Sequence, residues 1–124
     1  QGRRWIRDEK RLAIMIRDGM GCVFCGIGVE AGEVMTLDHL TPHSHGGTNH
    51  AENLVLACRR CNSARGNRSV EEFAEKVAGY LNHGITAEAI ISHIETTRIR
   101  PLDMGAAKSL IAARGGFTKA LRGC

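Results

Sequence analysis

Aromatic residues are scarce in this chain of 124 residues, and long hydrophobic runs are lacking. Phe, Trp and Tyr make up 4% of the residues, with a single Trp, so a core would be built mostly from small aliphatic side chains. Apolar stretches extend over only a few residues, whereas a transmembrane helix needs roughly 20. The first residues lead into a charged segment without an apolar core, unlike a signal peptide. We therefore expect a cytoplasmic protein with no membrane partner.

The composition is otherwise that of an ordinary globular domain. Apolar residues make up 43% and charged residues 24%, which excludes wholesale disorder and collagen-like architectures. The length fits one compact domain. The formal net charge is +4, and basic residues concentrate at the ends: residues 1–18 hold six basic and three acidic groups, and residues 96–124 hold six and one. Basic ends suit a phosphate-backbone ligand, although plain soluble proteins show similar imbalances.

Four of the five cysteines form two C-x-x-C pairs. Cys22 and Cys25 enclose Val-Phe, and Cys58 and Cys61 enclose Arg-Arg. Each pair can aim two thiolates at one point, and four sulfurs make a closed tetrahedral zinc site. We therefore predict a structural zinc that contributes to folding stability. The alternatives are two redox-active pairs or unrelated buried thiols. Cys124 is left over, and we interpret it as a free thiol.

Hydrophobic periodicity and turn residues predict the order of the first elements. Apolar residues at helical intervals predict a helix over residues 3–18, ended by glycines. Two β-prone runs, 33–37 and 53–57, flank a polar loop and predict a β-hairpin with a long connection. A short helical turn is expected after Cys61.

Capping residues predict the remaining helices. Ser69 and Glu72 form a capping box that starts a helix running to about residue 81. Thr86 can cap a helix over residues 87–95, whose isoleucines we assign to the core rather than to a dimer face. Asp103 can cap another over residues 104–114, which two glycines follow.

Acid, histidine and asparagine residues stand between and beside the cysteine pairs. In order, the motifs are D-H-x-x-P at residues 38–42, x-S-x-G-G at 43–47, an Asn at position 53 before Leu-Val-Leu, and C-x-x-C-N ending at Asn62. This combination resembles the HNH nuclease family, in the branch whose zinc knuckles flank a ββα-metal motif. The resemblance covers residues 22–68.

The resemblance implies an α+β fold. It would be a ββα-metal (His-Me finger) core with a four-cysteine zinc site, an N-terminal helix and C-terminal helices. We accordingly expect a single HNH endonuclease domain over residues 1–124. Its parts would be the N-terminal helix in 1–20, the zinc-stabilised core in 21–83 and a helical C-terminal extension in 84–124.

The resemblance also implies roles for four residues. His39 would be the general base that accepts a proton from water. Asp38 and Asn62 would be the two protein ligands of one catalytic cation, and their oxygen donors suit Mg²⁺ or Mn²⁺. Asn53 would tie the loop and orient the histidine. Many family members carry His where this chain has Asn62, and the amide oxygen makes softer metals less suitable.

Strand geometry raises a difficulty for this assignment. Adjacent residues of a regular strand point to opposite faces, so Asp38 and His39 could not both face one phosphate. We therefore predict that the strand ends or distorts at these two positions. The helix after Cys61 should bring Asn62 and Arg65 onto one face.

Basic and histidine side chains surround the expected site. We predict phosphate contacts for four arginines, whose alternative is a solvated face: Arg59, Arg60, Arg65 and Arg68. The connecting loop holds three histidines that we interpret as surface or phosphate-facing side chains rather than ligands: His43, His45 and His50.

The predicted function is that of a metal-dependent endonuclease acting on DNA, most plausibly double-stranded. It would leave 5′-phosphate and 3′-hydroxyl ends. One such site cuts one strand, so a monomer should nick, whereas a double-strand break would need a homodimer or two visits. The alternatives are a zinc-stabilised nucleic-acid-binding module without cleavage activity and a redox dithiol protein. Cleavage specificity and the choice between DNA and RNA are left open by the sequence.

Overall fold

A computed structural model describes residues 5–81 and 84–122 of the chain. The first helix, α1, spans Asp8–Arg17, with acidic Asp8 and Glu9 in its first turn and basic Arg17 in its last, which suits the helix dipole. The predicted helix was to begin at residue 3. Residues 1–4 lie outside the described part, and residues 5–7 precede the helix.

The two strands form one antiparallel pair. Strand β1 spans Met35–His39 and strand β2 spans Leu54–Cys58, in a register that runs from Met35 opposite Cys58 to His39 opposite Leu54. The predicted hairpin with a long connection is therefore present, with each strand one or two residues further along. We predicted that the strand ends or distorts at Asp38 and His39: β1 does end at His39, but it is not distorted at Asp38, which pairs regularly with Val55.

The connection between the strands is tied close to β1 by a glycine. Short 3-10 turns occupy His43–His45 and Ala51–Asn53. The backbone folds back so tightly that a Cβ on Gly47 would overlap the carbonyl oxygen of Thr41. The second glycine of the x-S-x-G-G motif thus lets the backbone at position 47 lie close to that of Thr41, and no larger residue would fit there.

Five further helices follow the sheet in the described part of the chain. They are α2 (Arg59–Arg65), α3 (Val70–Leu81), α4 (Ala87–Arg98), α5 (Met104–Arg114) and α6 (Phe117–Arg122). The Ser69 capping box is present in both directions, since Glu72 N–H donates to the Ser69 hydroxyl and Ser69 N–H donates to the Glu72 carboxylate. Helix α4 extends three residues beyond its predicted end, and α6 was not predicted.

The sheet lies between two helical layers. On one face, Val55 and Ala57 pack with Phe24 and Phe73 beside the cysteines and helices α3 and α4. On the other face, the leucines of both strands pack on α1, and α1 in turn packs on α5 and α6. Ile90 lies in the core of the first layer, as predicted. None of the helices in the described ranges is long and apolar enough to cross a bilayer.

A buried ion pair joins these layers. Arg17 donates to Asp18 and to the carbonyl oxygens of Ala51, Leu54 and Arg98. Asp18 in turn accepts from Leu56 N–H and from the Thr97 hydroxyl, each at 2.8 Å. Both charges are almost wholly removed from solvent and fully hydrogen-bonded, the condition under which a buried pair is tolerated. The ends of α1 and α4 are thereby attached to the turn that precedes β2.

Candidate active site and metal centre

The four paired cysteines converge on one point. Their Sγ atoms all lie within 4.8 Å of one another, and those of Cys25 and Cys58 are 3.8 Å apart. Zinc–sulfur bonds of about 2.3 Å arranged tetrahedrally place sulfurs about 3.8 Å apart. None of the four forms a disulfide. The cluster therefore fits a structural metal such as zinc.

Each cysteine pair is positioned by local structure. Cys22 and Cys25 lie in the turn between α1 and β1, which an isolated bridge between Gly21 and Gly28 closes. Cys58 ends β2, and its sulfur accepts a hydrogen bond from the Cys61 amide in the first turn of α2. The metal site thus fixes the start of α2 relative to the sheet.

The electrostatics of the cluster favour a bound cation. A hydrogen bond from Cys61 lowers the pKa of Cys22 to about 5. Burial, with the neighbouring thiolate, raises the pKa of Cys25 to about 11, and the pKa of Cys61 is raised as well. One thiolate therefore suppresses ionisation of its neighbours, and four thiolates require a positive ion among them.

Asp38 lies on the α2 side of the sheet, paired with Arg65. One guanidinium nitrogen, Nη1, is 2.8 Å from both carboxylate oxygens, and the same side chain donates to the carbonyl oxygens of His39 and Leu40. Burial raises the pKa of the Asp38 carboxyl, and the Arg65 charge opposes that shift. The predicted phosphate contact of Arg65 is corrected here: the side chain is 3% exposed and holds β1 instead.

Asn62 reaches the same side of β1 from α2. Its Nδ2 donates to the Thr36 hydroxyl at 2.8 Å, and Thr36 shares a strand face with Asp38 because the two are two residues apart. Its amide oxygen accepts no hydrogen bond from the residues that the structure describes. A carboxylate and an available amide oxygen thus lie on the same side of β1, and these are the donor types that a hard divalent cation takes.

His39 lies on the opposite face of β1. Its Nε2 is 2.8 Å from Oδ1 of Asn49, its ring centroid is 4.9 Å from that of Trp5, and His43 lies at 4.5 Å. Because an amide oxygen only accepts, this contact requires a hydrogen on Nε2, and in a neutral ring Nδ1 then has the lone pair. Sequence reasoning missed Asn49 and Trp5, since an Asn in a polar loop and a Trp before a helix carry no signal of this contact.

Asn53 ties the connecting loop to the start of β2. Its Oδ1 accepts from Thr41 N–H at 2.8 Å, and its Nδ2 donates to the carbonyl oxygens of Thr41 and Thr48. Its own carbonyl oxygen accepts from Leu40 N–H, next to the histidine. Direct contact with the His39 ring comes from Asn49 and not from Asn53.

The remaining basic residues lie at the surface. Arg59, Arg60 and Arg68 are exposed on and just beyond α2, and Arg68 donates to the carbonyl oxygen of Ala64. The three loop histidines His43, His45 and His50 are exposed, and the His43 ring also contacts His39 and Asn49.

Comparison with known proteins gives one family match and related sequences. Residues 22–68 match the family model described as HNH endonuclease. The chain is 30% identical over 106 residues, 85% of its length, to the CRISPR-associated endonuclease Cas9 of Corynebacterium diphtheriae. It is 33% identical over 70 residues, 56% of its length, to the protein of the same description from Actinomyces naeslundii. The aligned regions span 9% and 6% of these relatives. No solved structure matches.

Proposed function

Because residues 22–68 of this chain are an HNH endonuclease domain, we propose that the chain is a metal-dependent DNA endonuclease. The observation that carries the proposal is the end of β1, where a histidine whose Nε2 contacts Asn49 directly follows a carboxylate, and where the Asn62 amide lies on the carboxylate's side of the strand. Both relatives are described as endonucleases, which supports an endonucleolytic reaction.

The scissile phosphate would lie at the end of β1. Asp38 and His39 occupy opposite faces of the strand, so a phosphate over either face would meet only one of them. A phosphate placed at the end of the strand would have Asp38 on one side and His39 on the other. This position resolves the geometric difficulty without a distorted strand.

His39 would act as the general base through Nδ1. In this role the Nε2–H donates to the Asn49 amide oxygen, which leaves Nδ1 as the nitrogen that can accept a proton. Nδ1 takes a proton from water, the water oxygen attacks phosphorus in line, and the bond from phosphorus to the 3′ oxygen breaks. The products carry a 5′-phosphate and, once the departing oxygen gains a proton, a 3′-hydroxyl.

Asp38 and Asn62 would hold one Mg²⁺ or Mn²⁺, whose charge offsets that on the phosphoryl group and the departing oxygen. Arg65 would keep the Asp38 carboxylate in a fixed orientation, because its hydrogen bonds to two β1 carbonyl oxygens anchor the guanidinium. Asn53 would hold the loop in place. The cysteine cluster would bind structural zinc and take no part in the reaction.

Exposed arginines beside α2 would contact the DNA backbone. Arg59, Arg60 and Arg68 present guanidinium groups next to the proposed site, and such groups bind phosphate oxygens in pairs. A monomer with one site would nick duplex DNA.

A plasmid assay tests the proposal. Purified zinc-loaded chain with Mg²⁺ or Mn²⁺ should convert supercoiled plasmid to the nicked circle, and His39→Ala should abolish this. His45→Ala is the matched control, because His45 is an exposed histidine of the same loop. Plasmid that stays supercoiled in both ions, or that His39→Ala relaxes equally well, overturns the proposal. Salt-sensitive DNA binding without cleavage would identify the alternative, a nucleic-acid-binding module.

A further inference from the structure

A cavity of about 360 Å³ is lined by eight residues, of which only Asn49 belongs to the part of the chain that matches the family model. Its walls come from the segment before α1, from α1 itself and from α5. Two of its lining residues, Trp5 and Asn49, also contact the His39 ring. The cavity thus shares two residues with the surroundings of His39, and its volume lies in the range of small-ligand pockets.

The lining combines an apolar wall with a cationic rim. Trp5, Ile6 and Met104 form the wall, while the rim holds three basic side chains and one acidic one: Arg7, Lys10, Lys108 and Glu9. Lys10 donates to the Asn49 carbonyl oxygen, whereas the side chains of Arg7 and Lys108 are exposed. Arg11 lies 5.8 Å over the indole and the His39 ring lies 4.9 Å from it, and neither of these residues lines the cavity, whereas Trp5 does.

We propose that this cavity, the Trp5 pocket, binds an unpaired nucleobase next to the scissile phosphate. A planar base would pack against the indole of Trp5, and Lys108 and Arg7 would bind the phosphate attached to that nucleotide. The base must be unpaired because a paired one cannot enter a recess. The inference rests on the proposed nuclease function and names the substrate class of the same site: DNA with an unpaired nucleotide beside the cut.

Trp5 is the only tryptophan in the chain, so its fluorescence reports on the pocket without any substitution. The full zinc-loaded chain, without added Mg²⁺ or Mn²⁺, is titrated with a single-stranded DNA oligonucleotide of about 12 nucleotides. The control strand has the same length and phosphates but consists of abasic sugars. The normal strand should quench the fluorescence, and the abasic strand should bind about 5- to 150-fold more weakly, the factor expected for one stacked base.

Two pairs of variants separate the contribution of the apolar wall to DNA binding from that of the cationic rim. Binding is measured by the fluorescence anisotropy of a labelled strand. Trp5→Phe keeps an aromatic face and should bind nearly as the parent does, whereas Trp5→Leu keeps only an apolar side chain and should lose the discrimination against the abasic strand. Lys108→Gln should weaken binding and reduce the slope of log K against log salt by about 0.7. Lys76→Gln is the matched control, because Lys76 is exposed on α3, across the sheet from the pocket.

The outcomes distinguish this inference from the proposed function. Equal quenching by both strands, or unchanged discrimination in Trp5→Leu, overturns the Trp5 pocket; if the same preparation still nicks plasmid, the nuclease function stands. A faster cut in a duplex with one unpaired nucleotide beside the nick than in the fully paired duplex supports the pocket. A protein that neither binds nor cuts DNA overturns both.

Discussion

Replacing Arg65 by methionine should strongly destabilise the fold, because it leaves the Asp38 carboxylate buried and unpaired. The two side chains are 3% and 6% exposed, and Arg65 also loses its hydrogen bonds to the carbonyl oxygens of His39 and Leu40. Breaking a buried pair in this way costs about 3–5 kcal/mol. The whole free energy of unfolding of such a domain is only about 5–15 kcal/mol.

Urea unfolding of the zinc-loaded protein, followed by circular dichroism, measures this loss. With a denaturant slope of about 1–3 kcal/mol per molar, a loss of about 4 kcal/mol lowers the midpoint by roughly 2 M. The matched control is Arg68→Met, an exposed arginine three residues further on, which should change stability by less than about 0.5 kcal/mol. The double variant Arg65→Met with Asp38→Leu should recover most of the stability, because an apolar pair replaces the ionic one.

The pH dependence of this loss has a defined sign. Burial raises the folded-state pKa of Asp38, and Arg65 opposes the rise, so removing Arg65 raises that pKa further. The native state then holds a proton that the unfolded chain has released, and stability falls as pH rises through the folded-state pKa. The Arg65→Met loss should therefore be largest near neutral pH and shrink on acidification. A loss below about 1 kcal/mol at neutral pH, or a double variant no more stable than the single one, would refute the reasoning.

Three other predictions follow from the metal cluster, the histidine contact and the connecting loop. Removing zinc with a chelator should unfold the chain, because the apparent free energy of zinc binding, about 10–16 kcal/mol, matches or exceeds the free energy of unfolding of a small domain. Retention of the helical circular dichroism signal after verified zinc loss would contradict this. Asn49→Leu should lower kcat about tenfold with KM nearly unchanged, because the Nε2–H of His39 loses its acceptor. The pH profile of kcat should change as well. An unchanged kcat would show that Asn49 has no role in the mechanism. Gly47→Ala should lower the free energy of unfolding in urea by about 1–3 kcal/mol, whereas Gly79→Ala, in open space on α3, should raise it by about 0.5–1 kcal/mol. Equal effects of the two substitutions would show that the backbone at Thr41 can move to accommodate the added methyl group.

The features that the sequence predicts best are local ones. The capping residues of α3, α4 and α5 each accept a hydrogen bond from the amide three positions further on. Because this interaction lies within four residues, the sequence alone predicts it correctly. The cysteine pairs are predictable for a similar reason, because each knuckle is four residues long. Helix α6 was not predicted, because Gly115 and Gly116 indicate the end of a helix and no capping residue after them indicates that another begins at Phe117.

The contacts that the sequence does not predict are those between distant segments. Arg17 and Asp18 read as solvated charges at the end of an amphipathic helix, yet Thr97 and the turn at Ala51 bury them. Arg65 reads as an exposed arginine on a helix near phosphate, and only the closeness of α2 to β1 reveals the ion pair with Asp38. A single sequence does not encode which of two equally basic helical positions faces inward.

The placement of Asp38 and His39 on opposite faces of one strand gives the two sides of the proposed chemistry different supports. The proposed cation ligands, Asp38 and Asn62, are held from α2, whereas the His39 ring contacts Trp5 and Asn49. The two sides share Arg65, which also donates to the His39 carbonyl oxygen. Substitutions of Trp5 or Asn49 should therefore change water activation while leaving Mg²⁺ affinity intact. Loss of Arg65 should change both, because this side chain binds the Asp38 carboxylate and the backbone of His39. A variant could thus alter the histidine side alone by changes outside α2.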